Sequence, residues 1–374
     1  MTEPVIPDYG RSTLSDLFPS MGAHLGARGA VDVLGLPGSS RYVVLLVDGL
    51  GWEQLQAHPE QAGYLNGLMV KGRPITSGVP STTATSIACL GTGLTPGQHG
   101  IAGYAFRYPA TGRVLNALLW EPGLSGLDVQ PQLTYFERLS SAGVRATVVA
   151  PTHFEGSGLT TAAFRGPAFL GIEDEDDRHR RLELTARAAA NGPKTLVYVY
   201  ERDLDHAGHT TGVMSPQWLR SLSRIDRLAR DLRAILPGDV RLVVTGDHGM
   251  VDIPGKLHRI MVEDEPELLA EVDVFAGEGR LRQLYVGAAA REAVVHRWRE
   301  RLGDLAWVRT RDEAVEEGWF GPMSPRLADR FGDVLVAMRS DHAVMTRSLP
   351  KELSLVGMHG SLTSAEMLVP LLVD

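Results

Sequence analysis

The chain has 374 residues, 44% of them hydrophobic, 22% charged and 6% aromatic, so it buries a sizeable core and is not compositionally disordered. Lys and Arg number 37 against 45 Asp and Glu, a formal net charge of −8, and no dense basic tract occurs, which excludes a protein that grips nucleic-acid polymers through phosphate contacts alone. No apolar run approaches the ~20 residues that span a bilayer, and the single Cys89 forms no intrachain disulfide and no thiolate metal cage, so a metal must be held by His, Asp or Glu.

In chain order, the opening MTEPVIPDYG has no basic stretch followed by an apolar one, so we expect a cytoplasmic chain without membrane insertion. Short β-branched runs then recur: YVVLLV (42–47), ATVVA (146–150), TLVYVY (195–200) and RLVVT (241–245). Apolar on both faces, they read as buried parallel strands. The acidic run 173–177 reads as a solvated helix start, favoured by the helix dipole. In SPQWLRSLSRIDRLARDLRAIL, Ser215 serves as a cap and Pro216 suits the first helical position. Leu219, Leu222, Ile225, Leu228, Leu232 and Ile235 form the apolar stripe of that helix. This alternation predicts an α/β fold with a doubly wound, mostly parallel sheet flanked by helices, whose ligands sit beyond the carboxyl ends of the strands. From 255 to 355 the texture changes, with strand-like RLRQLYVG, helix-like AREAVVHRWRERLG, then AWVRT and RFGDVLVAM. We expect residues 1–254 and 356–374 to form the α/β core and 255–355 a smaller α+β insertion or cap.

Five constellations carry chemistry. Asp48 follows the first strand and precedes Gly49, the place of a ligand or of a turn residue. The hydroxyl cluster in VPSTTATSIACLGTG opens a helix-like segment in which Ala84, Ile87, Ala88 and Leu90 share a face. That places Thr83 at a helix N-terminus, suited to a phosphoryl group or to simple capping. After the third strand, Asp205 and His209 are four apart, a spacing for a divalent metal, with Asp203 and His206 as weaker neighbours. Asp247 and His248 follow the fourth strand, and His359 stands before a Gly near the C-terminus. Asp48, Asp205, His209, Asp247, His248 and His359 together supply three carboxylates and three imidazoles. That set suits two divalent ions, Zn²⁺ first, with Mn²⁺ or another transition metal as alternatives. Such a pair activates a hydroxyl nucleophile and holds both oxygens of an in-line displacement.

At these motifs the chain resembles the alkaline phosphatase superfamily, in particular its type I phosphodiesterase and nucleotide pyrophosphatase branch. VDGLG resembles the first metal Asp, VPSTTATSIACLGTGLTPGQHGI the nucleophile segment, DHAGH and GDHGM the next ligand pairs, and MHG the last ligand. The resemblance spans about residues 42–360 and implies a phosphodiesterase or nucleotide pyrophosphatase acting on a small phosphate ester. By its register, Thr83 is the nucleophile, forming a covalent phosphothreonine that water hydrolyses. Asp48, Asp247 and His248 would hold the ion that meets Thr83, and Asp205, His209 and His359 the other. Ser86 stands where the branch usually has Asn and is the expected substrate-binding donor. That departure keeps a phosphomonoesterase or phosphonate hydrolase as alternatives, and a catalytically silent metal-binding protein as a third. Tyr104, Phe106 and Trp120 follow the nucleophile segment and either stack on a substrate base or pack in the core, where we expect them.

Overall fold

A computed structural model describes residues 3–374. Its principal strands are β1 (Arg41–Val47), β2 (Arg73–Thr76), β3 (Arg145–Pro151), β4 (Ala168–Ile172), β5 (Thr195–Glu201), β6 (Val240–Gly246), β7 (Val272–Glu278), β8 (Leu281–Val286), β9 (Ala306–Thr310), β10 (Val334–Met338) and β11 (Leu368–Val373). The helices that matter for the site are α1 (Leu17–Leu25), α2 (Thr83–Thr92), α3 (Arg178–Ala189), α4 (Asp203–Thr211), α5 (Pro216–Ile235) and α6 (Arg291–Leu302).

The central sheet has the order β2-β11-β6-β1-β5-β3-β4. From β6 to β4 the strands are parallel, and β11 lies antiparallel between β6 and β2. Strands β1 and β5 are apolar between their ends because both faces are covered. Tyr42, Val44, Leu46 and Tyr198 pack with Leu17, Phe18 and Met21 of α1 on one side. Val43, Leu45, Val47, Val197 and Val199 pack with Leu184 of α3 and the stripe of α5 on the other. Helix α5 starts as its sequence dictates, with Ser215 Oγ accepting from the Trp218 amide at 3.1 Å. The stripe is buried at Leu222, Ile225, Leu228 and Leu232, but Ile235 is 44% exposed and Trp218 is buried in its stead. The last turn is tied down by polar contacts instead, Arg233 donating to the carbonyls of Leu236, Pro237 and Val240. Asp177 caps α3, accepting from the Arg180 amide at 2.8 Å.

Between β6 and β11 the chain builds a second, antiparallel sheet in the order β7-β8-β10-β9. One face packs on Val294, Val295, Trp298 and Leu302 of α6. From the other, Leu281, Trp307, Leu335 and Ala337 share a cluster with Ala84 and Ala88 of α2. One apolar cluster thus joins the second sheet to the helix that begins at Thr83. Among the described residues no helix is long and apolar enough to cross a membrane.

Candidate active site

The register of the three middle strands assembles the site. Val47 pairs with Glu201 and with Gly246, so β1, β5 and β6 end at one level. Asp48 therefore follows β1 beside α4, which carries Asp205 and His209, and beside the Asp247-His248 pair after β6. Gly49 permits this closeness: it has φ +74°, and a Cβ there would lie 3.0 Å from Cα of Asp205. His359 arrives by a different route. It follows a two-residue strand, Gly357–Met358, which pairs antiparallel with Val251–Asp252 and so returns the chain to the loop after β6. Thr83 is the first residue of α2, after the extended N-cap Thr82.

The six acidic and imidazole side chains fall into two groups, Asp48 with Asp247 and His248, and Asp205 with His209 and His359. His248 Nε2 lies 3.3 Å from Asp48 Oδ1 and 3.6 Å from Asp247 Oδ2. His209 Nε2 lies 3.4 Å from Asp205 Oδ1, and His359 Nε2 3.9 Å from the same oxygen. Two ligands of one tetrahedral ion, each about 2.1 Å from it, stand about 3.4 Å apart. The observed separations cluster around that edge length. The groups adjoin, since the His248 and His359 rings stack with centroids 3.6 Å apart.

All three imidazoles are anchored in the same way. Nδ1 faces a backbone carbonyl in each: Gly249 for His248 at 2.9 Å, Gly357 for His209 at 2.8 Å, and Ser81 for His359 at 3.0 Å. With Nδ1 held as donor, Nε2 is turned to the site as the free ligand atom. The carboxylates are anchored from behind as well. Asp48 Oδ2 accepts from the Tyr200 hydroxyl, and Asp247 Oδ1 from the amides of Gly49 and His248, each at 3.0 Å. The oxygens that remain, Asp48 Oδ1, Asp205 Oδ1 and Asp247 Oδ2, are buried and have no hydrogen-bond partner. Buried carboxylate oxygens are costly without a partner, and these three all face imidazole Nε2 atoms. The donor set therefore fits divalent ions.

The electrostatics agree. Burial, reinforced by the charge of Asp48, pushes Asp247 well above the usual carboxylate range, and burial raises Asp205. For Asp48 burial acts in the same sense, but the adjacent charge of His248 outweighs it and lowers the group. Burial opposes a charged His248, yet Asp247 and Asp48 overcome it and push the imidazole up to about 10. The surrounding carboxylates thus favour positive charge at this point of the site. Burial and the charges of His248 and His209 drive His359 well below the ordinary histidine value.

Of the hydroxyl cluster, only Thr83 meets this set, its Oγ1 3.2 Å from His248 Nε2. Thr82 donates to Glu278 Oε2 at 3.3 Å, Thr85 to the carbonyl of Ile101 at 3.2 Å, and Ser81 to that of Ser361 at 2.6 Å. Ser86 is fully buried with an unpartnered Oγ and does not line the cavity, where Ile87 stands instead. Asp203 ion-pairs with Arg224 at 2.6 Å, and His206 is exposed at the cavity edge.

A cavity of about 560 Å³ opens over Asp48, Thr83, Asp205, His209 and His359. Its walls are largely apolar, with Phe154, Phe164, Phe169 and Tyr198 among them. Tyr104 lines it rather than packing in the core, whereas Phe106 is fully buried and Trp120 packs at the core's margin. Glu278 also reaches it, from the end of β7, its carboxyl pushed up to about 8 chiefly by burial. Neither Glu278 nor Tyr200 stands in a recognisable motif; the sole signal for Glu278 is the glycine on either side of it, where a close backbone approach is made. Lys351 and Arg202 are the Lys and Arg side chains at the cavity. Arg202 is engaged by both carboxylate oxygens of Glu175. Arg165 is occupied by the carbonyls of Gln130, Thr161 and Ala162, and neither it nor Lys256 lines the cavity.

Comparison with known proteins gives a consistent picture. The family model described as type I phosphodiesterase / nucleotide pyrophosphatase matches residues 42–362. Among curated proteins, the catalytic subunit of human GPI ethanolamine phosphate transferase 3 is 30% identical over 116 residues, which are 30% of this chain and span only 11% of that protein. Mouse ectonucleotide pyrophosphatase/phosphodiesterase 5, solved as an inactive threonine-to-alanine variant with AMP, has a similar fold at TM-score 0.67 and 18% identity, covering 88% of this chain and 87% of that one. Phosphonoacetate hydrolase from Sinorhizobium meliloti 1021, in complex with phosphonoacetate, has TM-score 0.68 at 18% identity, covering 88% and 89%.

Proposed function

The chain belongs to the type I phosphodiesterase / nucleotide pyrophosphatase family of the alkaline phosphatase superfamily, a family of phosphoric ester hydrolases, and from that premise we propose that it cleaves small phosphodiesters with two divalent ions and Thr83 as nucleophile. The observation that carries the reading is the set of three buried, unpartnered carboxylate oxygens facing anchored imidazoles beside the Thr83 hydroxyl. Asp48, Asp247 and His248 would hold one ion, and Asp205, His209 and His359 the other. Mixed imidazole and carboxylate ligands suit Zn²⁺, with Mn²⁺ as an alternative. Ions so held supply Lewis-acid polarisation of the phosphoryl group and acidify the attacking hydroxyl.

The residues of the chain then have distinct tasks. Thr83 Oγ1 forms a bond to phosphorus as the bond to the departing alcohol breaks, and the alcohol leaves with that electron pair and takes up a proton. Water next adds to phosphorus, releasing Thr83 as a hydroxyl and the product as a monoester. The N-terminal amides of α2 favour the anionic group held above Thr83. Ser86, one turn further along α2 and expected as a second donor, is fully buried and away from the cavity wall, so the substrate-facing donors at this end are the α2 amides. The mouse neighbour becomes inactive on a threonine-to-alanine change, and Thr83 is the threonine to which we assign that role here. We also read 255–355 as an insertion that caps the catalytic edge, contributing Glu278 and Lys351 to the cavity wall.

Preference for diesters over monoesters follows from charge. A monoester dianion calls for a cation close to its nonbridging oxygens. No Lys or Arg follows Thr83 before Arg107, and of the two such cations at the cavity one is taken up by Glu175. We expect kcat/KM for bis(4-nitrophenyl) phosphate to exceed that for 4-nitrophenyl phosphate at least about tenfold, or ~1.4 kcal/mol, at equal metal loading. A preference for the monoester, or for phosphonoacetate over both, contradicts the diesterase assignment.

A further inference from the structure

Outside the cavity, a second kind of metal-ligating cluster stands at the start of a small two-stranded sheet. Arg259–Met261 pairs in parallel with Ala343–Met345, with Arg259 opposite Ala343. The residues just before each strand, His258 and His342, therefore face one another, and their rings lie 4.4 Å apart. Asp341 sits between them. Its Oδ1 is 3.2 Å from His258 Nδ1 and 3.3 Å from His342 Nδ1, again close to the ~3.4 Å edge of a tetrahedral ligand set.

We propose that His258, Asp341 and His342 form a third divalent-cation site, selective for a borderline ion such as Zn²⁺ and separate from the catalytic pair. Two imidazoles and one carboxylate are a sufficient protein ligand set, leaving a position for water. The three side chains are 32%, 45% and 20% exposed, so an ion reaches them from solvent. The backbone that carries two of them is already fixed from within. Arg280, fully buried and paired with Glu366 at 2.7 Å, donates to the carbonyls of Ser340 and His342 on either side of Asp341. Little ordering is then needed on binding. Nδ1 of His258 also faces the Asp341 carbonyl at 3.2 Å, and Nδ1 of His342 the Ser340 hydroxyl at 3.0 Å; ligation would exchange these contacts for a bond to the ion.

The test is zinc content per chain. Wild-type protein, the double variant His258→Gln/His342→Gln and the milder Asp341→Asn are loaded with excess Zn²⁺, desalted and analysed by elemental mass spectrometry, with circular dichroism to verify the fold. The expected result is one equivalent fewer in each variant than in wild type, with turnover of bis(4-nitrophenyl) phosphate retained. Because the readout is a difference, it stands whether or not the catalytic pair is occupied. Equal zinc in wild type and Asp341→Asn, meaning that the cluster only hydrogen-bonds within itself, overturns the proposal.

Discussion

Thr83 differs from Thr82 and Thr85 in what its hydroxyl meets: an imidazole of the candidate metal set, against a glutamate and a backbone carbonyl. If Thr83 is the nucleophile, Thr83→Ala should lower kcat at least about 10³-fold, since a missing nucleophile removes the covalent path. Thr83→Ser should keep measurable turnover, and Thr85→Ala should lose less than about tenfold. A Thr85→Ala loss as deep as that of Thr83→Ala would place the nucleophile elsewhere. Thr82→Ala should also stay mild, because its hydroxyl serves Glu278. The six acidic and imidazole positions were legible in the sequence because each lies next to a glycine or within one turn of one, five of them in short motifs after predicted strands and His359 only as the residue that could complete the set. Their anchors were not. Tyr200 holds Asp48 from a neighbouring strand, and carbonyls of Gly249, Gly357 and Ser81 orient the rings, contacts that arise only when distant segments pack.

Among the elements, the turn after β1 is the one where backbone geometry and site geometry coincide. Gly49 needs its positive φ and has no room for a Cβ against Asp205. Gly49→Ala is therefore expected to cost about 1–2 kcal/mol from the left-handed backbone alone, and to lower metal content by displacing α4. A lowered melting temperature with metal content and activity unchanged would mean that the turn matters for folding only. The strands that sequence patterning found, β1, β3, β5 and β6, are mostly apolar runs buried on both sheet faces. Those it missed have physical reasons to be quiet. Strand β2 is four residues long with Pro74, β11 carries Pro370 in its middle, and β4 is an edge strand whose first residue is exposed. Proline removes a ladder donor and argues against a strand in sequence, yet β11 lies inside the sheet between β2 and β6. In the second sheet, β8, β9 and β10 were legible as strand-like segments, whereas β7 alternates with partly exposed residues and ends in Gly277 and Glu278.

At the scale of the whole molecule, the central parallel sheet supplies the edge that carries the candidate metal set, and the antiparallel sheet shares an apolar cluster with α2 and brings Glu278 to the same cavity. Arg280 and Glu366, both fully buried, join the start of β8 to the segment before β11. The proposed function makes one chemical commitment: a covalent bond between substrate phosphorus and a single hydroxyl at the start of α2. The most direct test is acid-quenched mass spectrometry of metal-loaded protein mixed with bis(4-nitrophenyl) phosphate, followed by peptide mapping. The account predicts a transient gain of one 4-nitrophenyl phosphoryl group on the peptide holding Thr83, absent in Thr83→Ala and in protein stripped by a chelator. Wild-type turnover by Thr83→Ala, or an adduct on any other side chain, would contradict it.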